Sequence, residues 1–152
     1  MAVTLKTGDK APDFKLEDQD GKTIKLSDLE GKKSVIFFYP ADMTPTCTIE
    51  ACNLRDNHSI FQSKGYEVYG VSPDDAKSHQ KFIAKHQLPY TLLSDPDHKM
   101  AIAYGVWDEK QLFGRKYMGI VRTTFILDEK GKIAEVITKV KSKDHASQIL
   151  KL

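Results

Sequence analysis

Cysteine is scarce in this chain. Its 152 residues carry two, Cys47 and Cys52, too few for the disulfide framework of a secreted domain and too few for an iron–sulfur cluster, which takes about four thiolates. No segment approaches the ~20 consecutive apolar residues of a membrane span, and Met1-Ala2-Val3-Thr4-Leu5-Lys6 has no apolar core of signal-peptide length. Neither sign of charge dominates. With 23 basic and 21 acidic residues interspersed and a net charge of +2, no basic stripe exists to follow a phosphate backbone, which argues against nucleic acid as a partner. Lys32-Lys33 and Lys139-Val140-Lys141-Ser142-Lys143 read as solvated edges. There is no internal repeat, no low-complexity tract and no flavin, haem or nucleotide motif. What remains is an ordinary globular composition, long enough for one domain over 1–152 with a core of its own, and a cytoplasmic location is the expectation.

The hydrophobic pattern alternates between strand and helix. Asp13-Phe14-Lys15-Leu16 and Thr23-Ile24-Lys25-Leu26 flank Asp20-Gly21 and predict an N-terminal β-hairpin. Ser27-Asp28-Leu29-Glu30 has capping-box spacing before Gly31, which predicts one helical turn. Ser34-Val35-Ile36-Phe37-Phe38-Tyr39 is almost wholly apolar, the pattern of a central strand covered on both faces, and Pro40 ends it. Thr44 as N-cap and Pro45 at the first helical position open a helix expected to run to Lys64 and stop at Gly65. Further on, the pattern predicts a strand over 66–71, a helix over 74–86, a strand over 90–93 and a short helix over 97–104. A polar connection over 107–116 follows, then a second hairpin made of 120–127 and 132–140, and a short closing helix over 144–152. The order implies an α/β fold: a central mixed β-sheet, parallel at its core, with helices on both faces.

Within that frame Cys47 falls at the third helical position directly after the buried strand. Unpaired N–H groups and about half a unit of positive charge at a helix start favour S⁻ over SH. Ends of parallel strands beside helix N-termini are also where such sheets place their sites. Cys52 follows five residues later. On one intact helix that spacing separates the two Cα atoms by roughly 8 to 9 Å, whereas a disulfide tolerates at most about 7 Å. Either the pair never bonds, or the helix unwinds locally to let it.

Pro40-Ala41-Asp42-Met43-Thr44-Pro45-Thr46-Cys47 resembles the P-x-x-x-[TS]-x-x-C signature of the peroxiredoxins. Cys47 to Cys52 followed by Leu54-Arg55-Asp56 is similar to the subgroup called bacterioferritin comigratory protein or peroxiredoxin Q. The likeness runs from Gly8-Asp9-Lys10-Ala11-Pro12 through Leu93-Ser94-Asp95 and Gly105-Val106-Trp107 to Arg122-Thr123-Thr124-Phe125. It implies a thioredoxin-like fold and a thiol-dependent peroxidase acting on hydrogen peroxide and organic hydroperoxides. By the same resemblance Cys47 is the nucleophile, Thr44 contacts the peroxide, Pro40 shields the sulfur from water, and Arg122 supports the thiolate and the bound peroxide. Glu50, one turn after Cys47, is placed to hold that arginine. Cys52 resolves a Cys47 sulfenic acid as an intramolecular disulfide, and thioredoxin, ahead of glutaredoxin, returns the electrons. The resemblance implies a monomer and no bound cofactor.

Competing chemistries fit the residues less well. His58 lies six residues past Cys52, but the five histidines show no tight ligand spacing and read as surface residues. A dithiol oxidoreductase of thioredoxin type calls for C-x-x-C, and no local signature of a cysteine hydrolase is present. A peroxide sensor that changes partners after one oxidation stays open, since turnover alone separates it from an enzyme.

Overall fold

The computed structural model describes residues 4–151. Met1–Val3 of the N-terminal stretch and Leu152 of the closing helix lie outside them. The chain forms β1 (Lys15–Asp18), β2 (Thr23–Lys25), β3 (Lys33–Phe38), α1 (Pro45–Asp56), α2 (His58–Ser63), β4 (Tyr66–Ser72), α3 (Ala76–His86) and β5 (Thr91–Ser94). There follow α4 (Lys99–Ala103), β6 (Trp107–Leu112), β7 (Arg115–Ile120), β8 (Thr123–Leu127), β9 (Ile133–Ile137) and α5 (His145–Leu150). Seven strands form one sheet in the order β2-β1-β5-β4-β3-β8-β9. The pairs β3·β4 and β4·β5 are parallel, and antiparallel pairs flank them on both sides.

The period-two alternation of β3 divides the core. Val35 and Phe37, with Tyr39 just beyond the strand, face one layer, where they pack with Cys47, Ala51 and Leu54 of α1, Phe61 of α2, Phe82 of α3 and Ile149 of α5. Ile36 and Phe38 face the other layer, filled by Phe14, Leu29, Met100, Tyr104, Val106 and Phe125. A central strand apolar on both faces is what a sheet covered twice requires. Gly70 of β4 sits beside Phe37, and a Cβ there would lie 2.7 Å from Leu92 Cδ2 and 2.8 Å from Phe37 Cζ. That near approach lets the Phe37, Tyr39 and Tyr90 rings cluster beneath α1.

Three expectations change. The helix expected over 45–64 breaks at Asn57, whose side-chain amide donates to Asn53 O at 2.9 Å while its own N–H turns to Leu54 O at 3.3 Å. A side chain competing for helix carbonyls ends the regular ladder there. The stretch 107–116 expected as a polar connection belongs to a separate two-stranded ribbon, β6·β7, with Trp107 opposite Ile120 and Leu112 opposite Arg115. Ile120 therefore ends β7, and the next strand begins at Thr123. The turn after β2 is a 3-10 turn over Leu26–Leu29, in which Asp28 accepts the Lys25 N–H at 2.8 Å, so Lys25 rather than Ser27 stands at the cap.

Candidate active site at the end of the central strand

β3 ends at Phe38, and its Tyr39 N–H still reaches Val71 O of β4 at 3.0 Å. Pro40 then turns the chain away from the sheet into a short loop, Ala41–Met43, that leads into α1. Met43 has φ 65°, a left-handed conformation that costs a side-chain-bearing residue roughly 1 to 2 kcal/mol. Buried polar contacts hold the loop against that cost. Asp42 Oδ1 accepts from Tyr39 Oη at 2.6 Å, and Oδ2 accepts from Ser78 Oγ at 2.8 Å and from His79 Nδ1 at 2.7 Å. His79 Nε2 donates to Leu93 O at 3.0 Å. Both ring nitrogens thus face oxygen atoms, so the ring is held from two sides. The Asp42 N–H donates to Asp74 Oδ2 at 2.7 Å, tying the loop to the end of β4 as well.

Thr44 caps α1 by position, with an extended backbone, and Pro45 occupies the first helical position. The Thr44 hydroxyl does not accept from the helix start as expected. It donates to Ala41 O at 3.1 Å and is exposed, so its remaining lone pairs face solvent beside the helix N-terminus. Cys47 follows at the third position, 2% exposed, with its Sγ toward the sheet.

Arg122 was expected within a strand. It lies instead in the two-residue link Val121-Arg122 between β7 and β8. The antiparallel register pairs Phe38 with Thr123, which brings that link to the end of β3 from which the Cys47 loop departs. Its Nη2 donates to Cys47 Sγ at 3.1 Å and its Nη1 to Glu50 Oε1 at 2.5 Å. Cys47 and Glu50, three apart, share one face of α1, so a single guanidinium fork spans both. Burial works against the charge on Arg122, but Glu50 and the Cys47 sulfur outweigh it and hold the guanidinium above its already high ordinary pKa. Glu50 is fully buried. Its burial raises the carboxyl pKa to about 7 against the pull of Arg122. Lys110 of β6 adds a second cation: its Nζ donates to Ile120 O at 2.9 Å, and burial, then the Arg122 charge, lower its pKa.

The AhpC/TSA family profile matches residues 7–136, the greater part of the chain. The chain belongs to the AhpC/TSA family. It is similar to peroxiredoxin Bcp of Bacillus subtilis, with 49% identity over 148 residues covering 97% of this chain and 94% of that protein. Among solved structures, peroxidoxin BcpB from Mycobacterium tuberculosis superposes with a TM-score of 0.85 at 38% identity, covering 97% of this chain and 95% of that one. A cysteine-to-serine mutant of Xylella fastidiosa PrxQ superposes with a TM-score of 0.91 at 30% identity over 99% and 96% of the two chains. The fold is accordingly thioredoxin-like, and this peroxiredoxin is an oxidoreductase that reduces peroxides with electrons drawn from a thiol reductant.

Of the six residues singled out in the peroxiredoxin sequence, Cys47, Glu50 and Arg122 stand in direct contact, with Thr44 at the helix start and half-buried Pro40 at the strand end. Cys52 shares α1 with Cys47, is half-buried, and both thiols are free on an intact helix. Tyr90 Oη donates to Ala51 O at 2.7 Å and fastens that helix next to Cys52. The reading of all five histidines as surface residues is overturned: His79 and His145 are fully buried in polar networks. His79 draws its partners from elements far away in sequence, and of the groups around His145 only Gln148 is local, so neither histidine announces its burial in the sequence. Asp42 had a signal in retrospect, since a carboxylate between Pro40 and Thr44 in a loop this short needs partners.

Proposed function

We propose that Cys47, Thr44, Arg122, Pro40, Glu50 and Cys52 carry out the peroxide reduction in named roles. The observation that carries this reading is the Arg122 fork, with one N–H on Cys47 Sγ and another on Glu50 Oε1. A permanently charged, bidentate donor beside a sulfur at a helix N-terminus favours the thiolate and supplies N–H groups where negative charge develops on the peroxide oxygens. The thiolate attacks one peroxide oxygen, the S–O bond forms as the O–O bond breaks, and the departing oxygen leaves as water or an alcohol after gaining a proton. The Thr44 hydroxyl turns from Ala41 O to the substrate oxygen, and Pro40 keeps bulk water from the sulfur. Glu50 fixes the fork.

Cys47 is then a sulfenic acid. Residues 48–52 unwind, the Cys52 sulfur bonds to Cys47 Sγ, and water leaves with the sulfenic oxygen. A dithiol reductant, with thioredoxin the expected one and glutaredoxin second, exchanges with the disulfide and returns both thiols. No bound cofactor enters the cycle. Hydrogen peroxide and organic hydroperoxides are the proposed substrates, acting on a monomer of one domain in the cytoplasm. Steady-state consumption of peroxide with thioredoxin, its reductase and NADPH tests this reading. Many turnovers per chain, lost in both Cys47→Ser and Cys52→Ser, are expected; a single equivalent consumed, as in a sensor, would contradict it.

A further inference from the structure

Behind the Arg122–Glu50 pair lies a second buried layer that takes no part in the peroxidase cycle proposed for Cys47 and Cys52. Glu50 Oε1 is taken by Arg122, but Oε2 is buried and has no hydrogen-bond partner among the described residues. His145 Nε2, at the start of α5 and fully buried, lies 3.5 Å from it. His145 Nδ1 lies 2.8 Å from Gln148 Oε1, an acceptor, so Nδ1 carries the ring proton. Nε2 is then a lone pair, satisfied by the Thr124 hydroxyl at 2.6 Å. A buried carboxylate oxygen therefore faces a buried imidazole lone pair across a short gap with no proton between them. One proton between them would give Oε2 the partner it lacks, at the cost of releasing the Thr124 hydroxyl from Nε2; without that proton Oε2 has none among the described residues.

We propose that His145 is a positioning residue for the peroxide reaction: with Glu50 Oε2 it forms a one-proton site whose occupancy decides whether Arg122 gives its charge to Glu50 or to Cys47. The inference rests on the roles proposed above for Cys47, Glu50 and Arg122. With the site empty, Glu50 is a carboxylate and the guanidinium charge is divided between carboxylate and sulfur. With the proton on Oε2 or on Nε2, the Glu50–His145 pair carries no net charge, and Arg122 faces the sulfur and the departing peroxide oxygen undivided. Three aspects of the surroundings fit such a site. Burial lifts the Glu50 carboxyl to about 7. His145 is pushed down by burial, opposed by Gln148 and aided by Arg122, which favours the singly protonated ring. Two further titratable groups nearby are not anions: Tyr90 stays protonated, its pKa raised by burial and then by Glu50, and Lys110, which faces Arg122 and Cys47 from β6, is a cation.

The test is the pH dependence of the second-order rate constant for Cys47 oxidation by hydrogen peroxide, followed by quenched intact mass between about pH 5.5 and 8.5. The native chain should show an ionisation in the neutral range beyond that of Cys47 itself. His145→Gln keeps a nitrogen near the Nε2 position but always as an N–H donor, which holds Glu50 as a carboxylate, so the step should move at least about one unit toward acid. The rate constant at the acidic end should then fall about fivefold with little change at the basic end. Thr124→Val, nearly isosteric, frees the Nε2 lone pair to accept from a protonated Glu50 and should move the same step toward base. Loss of packing cannot shift a step in opposite directions in the two variants. If His145→Gln does not fold, the Thr124→Val shift decides. A native profile without the step, or variants whose profiles superimpose on it, would overturn the inference while leaving the peroxidase reading intact. Slow oxidation of the native chain at every pH would overturn both.

Discussion

Arg122 makes the site one unit, because two N–H groups of one planar fork meet the sulfur and the carboxylate at 3.1 and 2.5 Å. A lysine can keep the charge but not the fork. Arg122→Lys is expected to lower the rate constant for Cys47 oxidation by roughly 10² to 10³, the usual cost of losing one preorganised donor, with the fold unchanged by circular dichroism. A loss under about threefold would mean that charge alone suffices and the fork is incidental. Cys47, Thr44 and Pro40 are legible in a single stretch of sequence because the physics there is local: a buried strand, a helix-breaking proline, a cap and a thiol at the third helical position. Arg122 is different. It meets Cys47 across 75 residues of chain through the register of β3 and β8, and no periodicity in its neighbourhood reports that. Only the likeness to a known family picked it out. His145 and His79 had neither kind of signal.

α1 carries both thiols, so its stability governs the second half of the proposed cycle. The helix is held near Cys52 by the Tyr90 Oη bond to Ala51 O and beyond it by Asn53, whose side chain donates to Lys143 O and accepts from the Ala146 N–H, both at 2.8 Å. Unwinding of 48–52 has to break the first of these and can stop at the second. Tyr90→Phe removes one neutral hydrogen bond of about 1 kcal/mol, about fivefold in the opening equilibrium. Disulfide formation from the sulfenic acid should accelerate by that factor in quenched mass measurements, while sulfenic acid formation itself stays unchanged. Equal effects on both steps would show that Tyr90 orders the reactive thiol rather than the helix. At this scale the sequence misled twice for physical reasons. The break at Asn57 comes without glycine or proline, from a side-chain amide taking a carbonyl of its own helix. The β6·β7 ribbon is exposed over much of both strands, so it has neither the alternation nor the apolar run by which strands are recognised.

For the whole molecule, keeping Glu50 buried beside the thiol has a cost that depends on pH. The folded-state pKa of about 7 lies above the ordinary 4.5, so the folded form binds the extra proton; the stabilisation is complete below about pH 4.5 and is lost as pH rises through about 7. His145 works oppositely, since its lowered pKa favours the folded form above its ordinary value of 6.5 and penalises it as pH falls. Glu50→Gln, which cannot ionise, should therefore be more stable than the native chain at about pH 8 by on the order of 1 to 3 kcal/mol, with the difference shrinking toward about pH 5. Urea midpoints at the two pH values check this, and a constant difference would mean that the carboxylate is fully compensated by Arg122. Stability and chemistry here draw on the same buried charges, and the chemistry is what the fold is arranged to serve. The most direct test of that claim is intact mass and thiol count after one equivalent of hydrogen peroxide on the native chain, Cys47→Ser and Cys52→Ser. Rapid loss of both thiols with a decrease of about 2 Da is expected in the native chain, no reaction in Cys47→Ser, and a trapped sulfenic acid in Cys52→Ser. Slow oxidation, or oxidation indifferent to which cysteine is replaced, would contradict it.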